Sequence, residues 1–123
     1  MSKRILIVDD EKHITDILAE YFTGKNYEVF TANNALDALE IVKKQRPHVV
    51  LLDIIMPKMD GIEALRKIKE IDSSIGVIMI TAVKDDEVAK KAMGLGAADY
   101  ITKPLSLEYL ESAVLYKVFD IMH

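Results

Sequence analysis

The sequence predicts an α/β domain built on one parallel β-sheet with helices on both faces. Two observations support this fold class. Short β-branched apolar runs recur five times along the chain, and segments with apolar residues at helical spacing separate them. Three of the runs, at 4–8, 48–52 and 76–82, are almost continuously apolar, which is typical of central parallel strands that are buried on both sides.

The first half of the chain predicts three strands and two helices. RILIV (4–8) is the first strand, and the following helix ends at Gly24 and carries an apolar stripe of Ile14, Ile17, Leu18, Tyr21 and Phe22. The more mixed run EVFTA (28–32) suits an edge strand. NALDALEIVKKQ forms the second helix before Pro47, with a predicted stripe of Leu36, Leu39, Ile41 and Val42. HVVLL (48–52) is the third strand.

The second half continues the alternation. GIEALRKIKEI is the third helix, GVIMITA (76–82) the fourth strand, and DEVAKKAMGLG a helix that Gly94 and Gly96 close. DYIT (99–102) is the fifth strand, and SLEYLESAVLYKVFDIM is a last helix with Ser106 as its N-cap. Because no linker, repeat or low-complexity segment interrupts the pattern, one domain is expected to fill residues 1–123.

Composition excludes several classes of function. Half of the 123 residues are apolar and 29% are charged, which is a globular balance. A net charge of -4, without a segment rich in Lys and Arg, argues against a nucleic-acid-binding surface. The absence of cysteine excludes disulfides and thiolate chemistry. No run is long enough for a membrane span or a signal peptide, so a cytoplasmic protein is expected.

Polar residues follow the strands where an open parallel sheet gathers its functional groups. Strand two ends only in Ala32 and Asn33, whereas the ends of the other four strands carry Asp9, Asp10, Asp53, Thr81 and Lys103. In a flavodoxin-like doubly wound sheet of order 2-1-3-4-5, strand order reverses between strands one and three. That order would place the three carboxylates side by side.

Three adjacent carboxylates repel each other unless a cation lies between them, and an oxygen-only site with few protein ligands suits Mg²⁺. A carboxylate beside a divalent cation can attack phosphorus and form an aspartyl phosphate. Lys103 would then supply positive charge to the phosphoryl oxygens, and Thr81 a hydroxyl donor. Taken singly, the first two Asp residues could be helix caps, Thr81 a strand residue and Lys103 a solvated lysine. Their combination is the specific signal.

Four segments of the chain resemble the signature segments of the response-regulator receiver domain of two-component signalling. These are ILIVDDE, VVLLDIIMPKMDGIE, VIMITA and GAADYITKPL, in the family's order and spacing. The resemblance covers essentially the whole chain and implies a (βα)₅ fold. It implies that Asp53 is the phosphoacceptor, which takes phosphate from a phosphohistidine on a sensor histidine kinase or a histidine phosphotransfer protein.

The resemblance also implies the ligands of the magnesium ion. Asp10 and Asp53 would bind Mg²⁺ directly, the backbone carbonyl of Ile55 would be a further ligand, and Asp9 would help through water. Lys103 would contact the phosphate.

A switch and a cis Lys103–Pro104 peptide are implied by the same resemblance. On phosphorylation Thr81 would swing toward the phosphoryl group and Tyr100 would move inward. The surface of helix four, strand five and helix five would thereby change for a downstream partner or output domain.

Three features of the loops after strands three and four bear on the lifetime and access of the phosphate. In the family, the positions occupied by Ile55 and Val83 tune how fast water removes the phosphate. Both are apolar here, so slow self-dephosphorylation is expected. Pro57 and Gly61 are expected to shape a loop that leaves the phosphoacceptor accessible rather than buried.

The last helix has more apolar surface than packing on the sheet requires. One stripe suffices for the sheet and consists of Leu107, Leu110, Val114, Val118 and Ile121. Leu115 and Phe119 project from a different side, and Tyr109 and Tyr116 from yet another. Part of this surplus is predicted to be a contact surface: a homodimer face, a docking site for another protein, or the stub of a helix leading to an output domain.

The sequence therefore predicts a phosphorylation-controlled receiver that catalyses only its own phosphorylation and dephosphorylation. One alternative is a receiver cut from a longer regulator with a DNA-binding or enzymatic output domain. Another is a phosphorylation-independent pseudo-receiver, which usually loses part of the Asp–Thr–Lys set retained here. A metal-dependent phosphatase or phosphotransferase commonly carries a second Asp where Ile55 stands. The sequence argues against a nucleotide-binding fold, because VDDEKH follows strand one where such a fold has a glycine-rich loop.

Overall fold

The computed structural model describes residues 2–122, so Met1 and His123 of the predicted 1–123 domain lie outside it. The five strands are β1 (Lys3–Val8), β2 (Tyr27–Ala32), β3 (Val49–Leu52), β4 (Gly76–Thr81) and β5 (Asp99–Thr102). The five helices are α1 (Lys12–Gly24), α2 (Ala35–Gln45), α3 (Gly61–Ile71), α4 (Asp86–Gly94) and α5 (Leu107–Met122). The strands pair in parallel in the order β2-β1-β3-β4-β5, so the predicted fold class and order are confirmed.

The sheet has one buried cluster of side chains on each face, because successive strand residues point to opposite sides. Leu6, Val50 and Val77 face α2 and α3 in one cluster. Ile5, Val49 and Ile78 face α1 and α5 in the other. Central strands covered on both sides account for the almost unbroken apolar runs in the sequence.

The strand boundaries agree with the predicted ones to within one residue, but the predicted stripe on α2 is wrong at Leu36. That side chain is 57% exposed. The buried residues of α2 are Ala35, Ala38, Leu39 and Val42, which follow the i, i+3, i+4, i+7 spacing of one helical face. Leu36 lies one residue, and therefore about 100°, away from that face.

Long basic side chains close the amino edge of the sheet. The Arg4 guanidinium donates to the carbonyl of Gln45 at 3.0 Å and to that of Arg46 at 2.8 Å, at the end of α2. Lys69 on α3 donates from Nζ to the carbonyl of Ile75 at 2.6 Å, just before β4 begins. Burial, with the charge of a neighbouring lysine, lowers the pKa of Lys69. These bonds satisfy carbonyl groups that the ends of regular elements leave without partners.

The last helix packs on the sheet through the predicted stripe, in which Leu110, Val114 and Val118 are buried. Ser106 precedes the helix and accepts a hydrogen bond from the N–H of Tyr109 at 3.2 Å, as an N-cap does. Four large side chains of α5 are exposed: Tyr109, Leu115, Tyr116 and Phe119. Among residues 2–122, no helix is both long and apolar enough to cross a membrane.

Candidate functional site

Three carboxylates meet at the carboxyl edge of the sheet. Asp9 follows β1 and Asp53 follows β3, and these strands are hydrogen-bonded neighbours whose last residues, Val8 and Leu52, lie side by side. One carboxylate oxygen from each of Asp9, Asp10 and Asp53 lies within 4.8 Å of the others. Asp9 is 3% exposed and Asp53 is 5% exposed, while Asp10 faces solvent. The structure thus brings the predicted acidic residues together.

The ammonium group of Lys103 lies between the two buried carboxylates. Its Nζ is 2.8 Å from Asp9 Oδ2 and 3.3 Å from Asp53 Oδ2. Burial by itself would lower the pKa of Lys103, but the hydrogen bond to Asp9 and the charge of Asp53 outweigh it, and the pKa is raised. Lys103 is therefore the compensating cation of the cluster. The Lys103–Pro104 peptide bond is cis.

Asp53 is more deeply buried than expected, because the loop after β3 folds back over it. Its Oδ1 accepts from the N–H of Ile55 at 3.3 Å, and the N–H of Gly61 donates to the carbonyl of Ile54 at 2.8 Å. A side chain at Gly61 would overlap the Asp53 carbonyl oxygen, so α3 can begin this close only with glycine. The prediction that this loop leaves Asp53 unburied is wrong, although Ile55 beside it is 58% exposed.

The carboxylate of Asp9 is fixed by the start of α1 as well as by Lys103. Asp9 Oδ1 accepts from the N–H of Glu11 at 3.0 Å. Glu11 occupies the N-cap position of α1, and no side chain caps that helix. The alternative in which Asp9 or Asp10 caps the first helix is therefore wrong.

A side chain from the end of β2 also reaches this loop. Asn33 donates from Nδ2 to the backbone carbonyl of Asp9 at 2.9 Å and to Thr15 Oγ1 at 3.2 Å. No function was predicted for Asn33 from the sequence. Its position directly after a strand that neighbours β1 was the only available signal, since the sequence does not show which way an amide points.

Thr81 and Tyr100 both bind the backbone of Val83 in the loop after β4. The buried Thr81 Oγ1 accepts from the Val83 N–H at 3.3 Å, and Tyr100 Oη donates to the Val83 carbonyl at 2.7 Å. Burial, followed by the charges of Asp85 and Asp53, raises the pKa of Tyr100. Thr81 and Tyr100 are thus linked through one residue.

The donor set fits a small divalent cation. It offers carboxylate oxygens from Asp9, Asp10 and Asp53, without nitrogen or sulfur ligands, and hard ions such as Mg²⁺ prefer such oxygens. The neighbouring Lys103 ammonium and the Thr81 hydroxyl are donors suited to an anion with several oxygens. Three carboxylates that fit a divalent cation and two donors suited to an anion therefore lie at one edge of the sheet.

Comparison with known proteins identifies relatives along nearly the whole chain. The family model described as the response regulator receiver domain matches residues 5–115. The chain is 43% identical over 114 residues to sporulation initiation phosphotransferase F of Bacillus subtilis, covering 93% of this chain and 92% of that protein. It is 38% identical to chemotaxis protein CheY of Halobacterium salinarum, covering 93% and 95%.

A third relative is much longer. The chain is 41% identical over 111 residues to regulatory protein AtoC of Escherichia coli, covering 90% of this chain but only 24% of that protein.

Solved structures show the same fold. A CheY-like receiver domain protein from Methanospirillum hungatei JF-1 superposes with a TM-score of 0.96 at 30% identity, covering 99% of this chain and 98% of that one. A chain of the CheX–CheY–BeF₃–Mg²⁺ complex from Borrelia burgdorferi gives a TM-score of 0.87 at 34% identity, covering 92% and 87%.

Proposed function

This chain belongs to the response regulator receiver domain family, a family of signalling modules in two-component systems, and on that premise we propose that Asp53 is its phosphoacceptor. The observation that carries the proposal is the placement of Asp53 beside two further carboxylates and the Lys103 ammonium. Asp53 is the only one of the three carboxylates that follows the central strand β3. Residues 1–123 would form one receiver domain.

We assign Mg²⁺ to the acidic cluster, since receiver domains bind this ion at their acidic site and the donor set fits it. Asp10, Asp53 and the backbone carbonyl of Ile55 would hold the ion directly, and Asp9 through water. When bound, the ion neutralises part of the charge on the carboxylates and on the incoming phosphoryl oxygens. The solved CheX–CheY complex, one chain of which is similar to this one, contains Mg²⁺ together with BeF₃.

In the proposed reaction a carboxylate oxygen of Asp53 forms a bond to phosphorus. The phosphorus–nitrogen bond of a phosphohistidine breaks, and the leaving imidazole takes the electron pair. Lys103, already 3.3 Å from Asp53 Oδ2, supplies positive charge to the phosphoryl oxygens, and Thr81 donates its hydroxyl after release from Val83. The small, exposed Ala82 beside Thr81 leaves room for the donor. The only reactions that the domain catalyses would be this transfer and its own dephosphorylation.

The proposed donor is a sensor histidine kinase or a histidine phosphotransfer protein. The proposed output is the surface formed by α4, β5 and α5, which contacts a downstream protein, an output domain or a second copy of the chain. The exposed side chains of Tyr109, Leu115 and Tyr116 on α5 support a contact there. Relatives occur both as short chains and within a longer regulator, and the solved CheX–CheY complex is an example of a protein partner.

Slow loss of the phosphate is a further part of the proposal. Ile55 is exposed and Val83 is half-buried, and neither apolar side chain can hydrogen-bond an attacking water. The acyl phosphate should therefore persist for much longer than seconds after the donor is removed. Its decay can be timed by intact mass, and loss within seconds would contradict this part.

The deciding experiment is incubation with acetyl phosphate and Mg²⁺, followed by intact mass spectrometry. We expect the wild type to gain one phosphoryl group and Asp53→Asn to gain none. No adduct on the wild type would instead support the phosphorylation-independent alternative. An equal adduct on Asp53→Asn would show that another residue is the acceptor.

A further inference from the structure

The side chain of Asn33 connects β2 to the loop that carries the two amino-terminal carboxylates. Its Nδ2 is 2.9 Å from the carbonyl oxygen of Asp9 and 3.2 Å from Thr15 Oγ1. The Thr15 hydroxyl donates in turn to the carbonyl of Lys12 at 3.0 Å, in the first turn of α1. One amide group therefore ties the end of β2 to both sides of the loop between β1 and α1.

The bond to the carbonyl of Asp9 has a particular effect on Asp10. That carbonyl belongs to the planar peptide unit joining Asp9 to Asp10, so holding its oxygen fixes the plane in which Asp10 Cα lies. The other polar groups of Asp9 are also held: its N–H donates to the Ala32 carbonyl at 3.2 Å, and its carboxylate binds Lys103.

Asp10 itself has no such support. Within residues 2–122, no hydrogen bond or ion pair holds its exposed carboxylate. The position from which it reaches the Asp53 carboxylate is therefore set by the backbone that Asn33 restrains.

We propose that Asn33 is a positioning residue for phosphorylation: through the Asp9–Asp10 peptide, its amide keeps the Asp10 carboxylate directed toward Asp53. Asn33 thereby raises both the affinity of the site for Mg²⁺ and the rate at which Asp53 is phosphorylated. This inference rests on the proposed function of Asp53. The inference goes beyond that function because it assigns a role in the site to a residue that follows the edge strand β2, which carries none of the reacting groups.

The test measures Mg²⁺ binding to the unphosphorylated protein. The protein is titrated with Mg²⁺ alone, and binding is monitored through the amide chemical shifts. Asn33→Ala should raise the dissociation constant by about 2- to 10-fold, the change that the net value of one hydrogen bond gives. The rate of phosphorylation by acetyl phosphate at subsaturating Mg²⁺ should fall by a similar factor and recover when Mg²⁺ is raised. The midpoint of urea unfolding is measured on the same samples.

The adjacent Asn34 provides a matched control. Its Oδ1 accepts from the Asp37 N–H at 2.8 Å and caps α2, and it makes no bond to the loop between β1 and α1. Asn34→Ala should therefore lower the urea midpoint and leave the dissociation constant for Mg²⁺ unchanged.

The outcomes separate this inference from the proposed function. A wild type that neither binds Mg²⁺ nor accepts phosphate would overturn the proposed function. A wild type that does both, beside an Asn33→Ala variant with the same dissociation constant, would overturn the positioning of Asp10 alone. Equal weakening of Mg²⁺ binding by both Asn variants would also overturn it, because the effect would then follow general stability.

Discussion

Replacing Lys103 with Met should destabilise the metal-free protein by about 3–5 kcal/mol, the usual effect of removing one partner from a buried ion pair. The substitution keeps most of the side chain's length and removes its charge. Asp9 and Asp53, whose side chains are 5% and 6% exposed, would then be buried carboxylates without a cation. A buried charge without a partner is one of the few single changes that produce so large a loss.

The magnitude follows from the two distances. At 2.8 Å and 3.3 Å, and with an effective dielectric constant of about 20, the attractions of Lys103 to Asp9 and Asp53 are about 6 and 5 kcal/mol. Burial of the ammonium opposes them, so the net loss is smaller than their sum. An Asp53→Asn change removes one of the buried charges. In the Asp53→Asn background, the loss of unfolding free energy caused by Lys103→Met should be about 1–2 kcal/mol smaller than in the wild type.

The assay is urea unfolding at neutral pH with a chelator present, for the wild type, the two single variants and the double variant. The slope of free energy against urea must stay constant for the comparison to hold. Mg²⁺ added to Lys103→Met should restore part of the lost stability, since a ligand of the native state stabilises it by mass action. Equal stability of Lys103→Met and wild type would refute the reasoning, as would a double variant whose loss is simply the sum of the single ones.

Three further predictions concern other parts of the chain. The Nδ1 of His48 accepts a hydrogen bond from the Arg4 N–H, and burial, together with the charge of Arg4, lowers the pKa of His48. Because His48 is therefore protonated first in the unfolded chain, the free energy of unfolding should decrease as the pH falls below about 6.5. His48→Gln should remove this pH dependence in urea unfolding measured at several pH values. Tyr27 Oη is buried without a hydrogen-bond partner among residues 2–122, and burial raises the pKa of Tyr27 to about 12. Because no hydrogen bond is lost, Tyr27→Phe should leave the free energy of unfolding unchanged or raise it by up to about 1 kcal/mol. A clear loss of stability in urea unfolding would contradict this prediction. Gly61→Ala should destabilise by at least about 1–3 kcal/mol and slow acetyl phosphate labelling, because its methyl group would meet the Asp53 carbonyl; unchanged stability and labelling would show that the loop can shift.

The fold was predictable because each strand and helix carries its own periodic pattern. Strand ends and central burial follow from runs such as 48–52. The strand order was taken from the flavodoxin-like fold and the family resemblance, and the proximity of the acidic residues followed from that order. The error at Leu36 arose because two overlapping apolar stripes exist on α2. Small residues such as Ala35 and Ala38 form the buried one. A large side chain is a weaker guide to the core than its angular position on the helix.

The site was predictable as a set of residues, but its contacts were not. The sequence places Asp9, Asp53 and Lys103 at strand ends, yet the distances that make Lys103 the counter-ion of both carboxylates depend on side-chain conformation. The support from Asn33 depends on the direction of one amide. Contacts of this kind are settled by three-dimensional packing, which no periodic pattern encodes.

The closure of the amino edge by Arg4 and Lys69 has a consequence for how such a domain can diverge. Their bonds anchor loops one strand length away from the carboxylates. The amino edge therefore contributes to stability without carrying a reacting group, whereas the carboxyl edge carries the site residues and, through the Lys103 ion pairs, part of the stability. Substitutions at the amino edge can change the stability of the domain without altering the site, but substitutions at the carboxyl edge change both together.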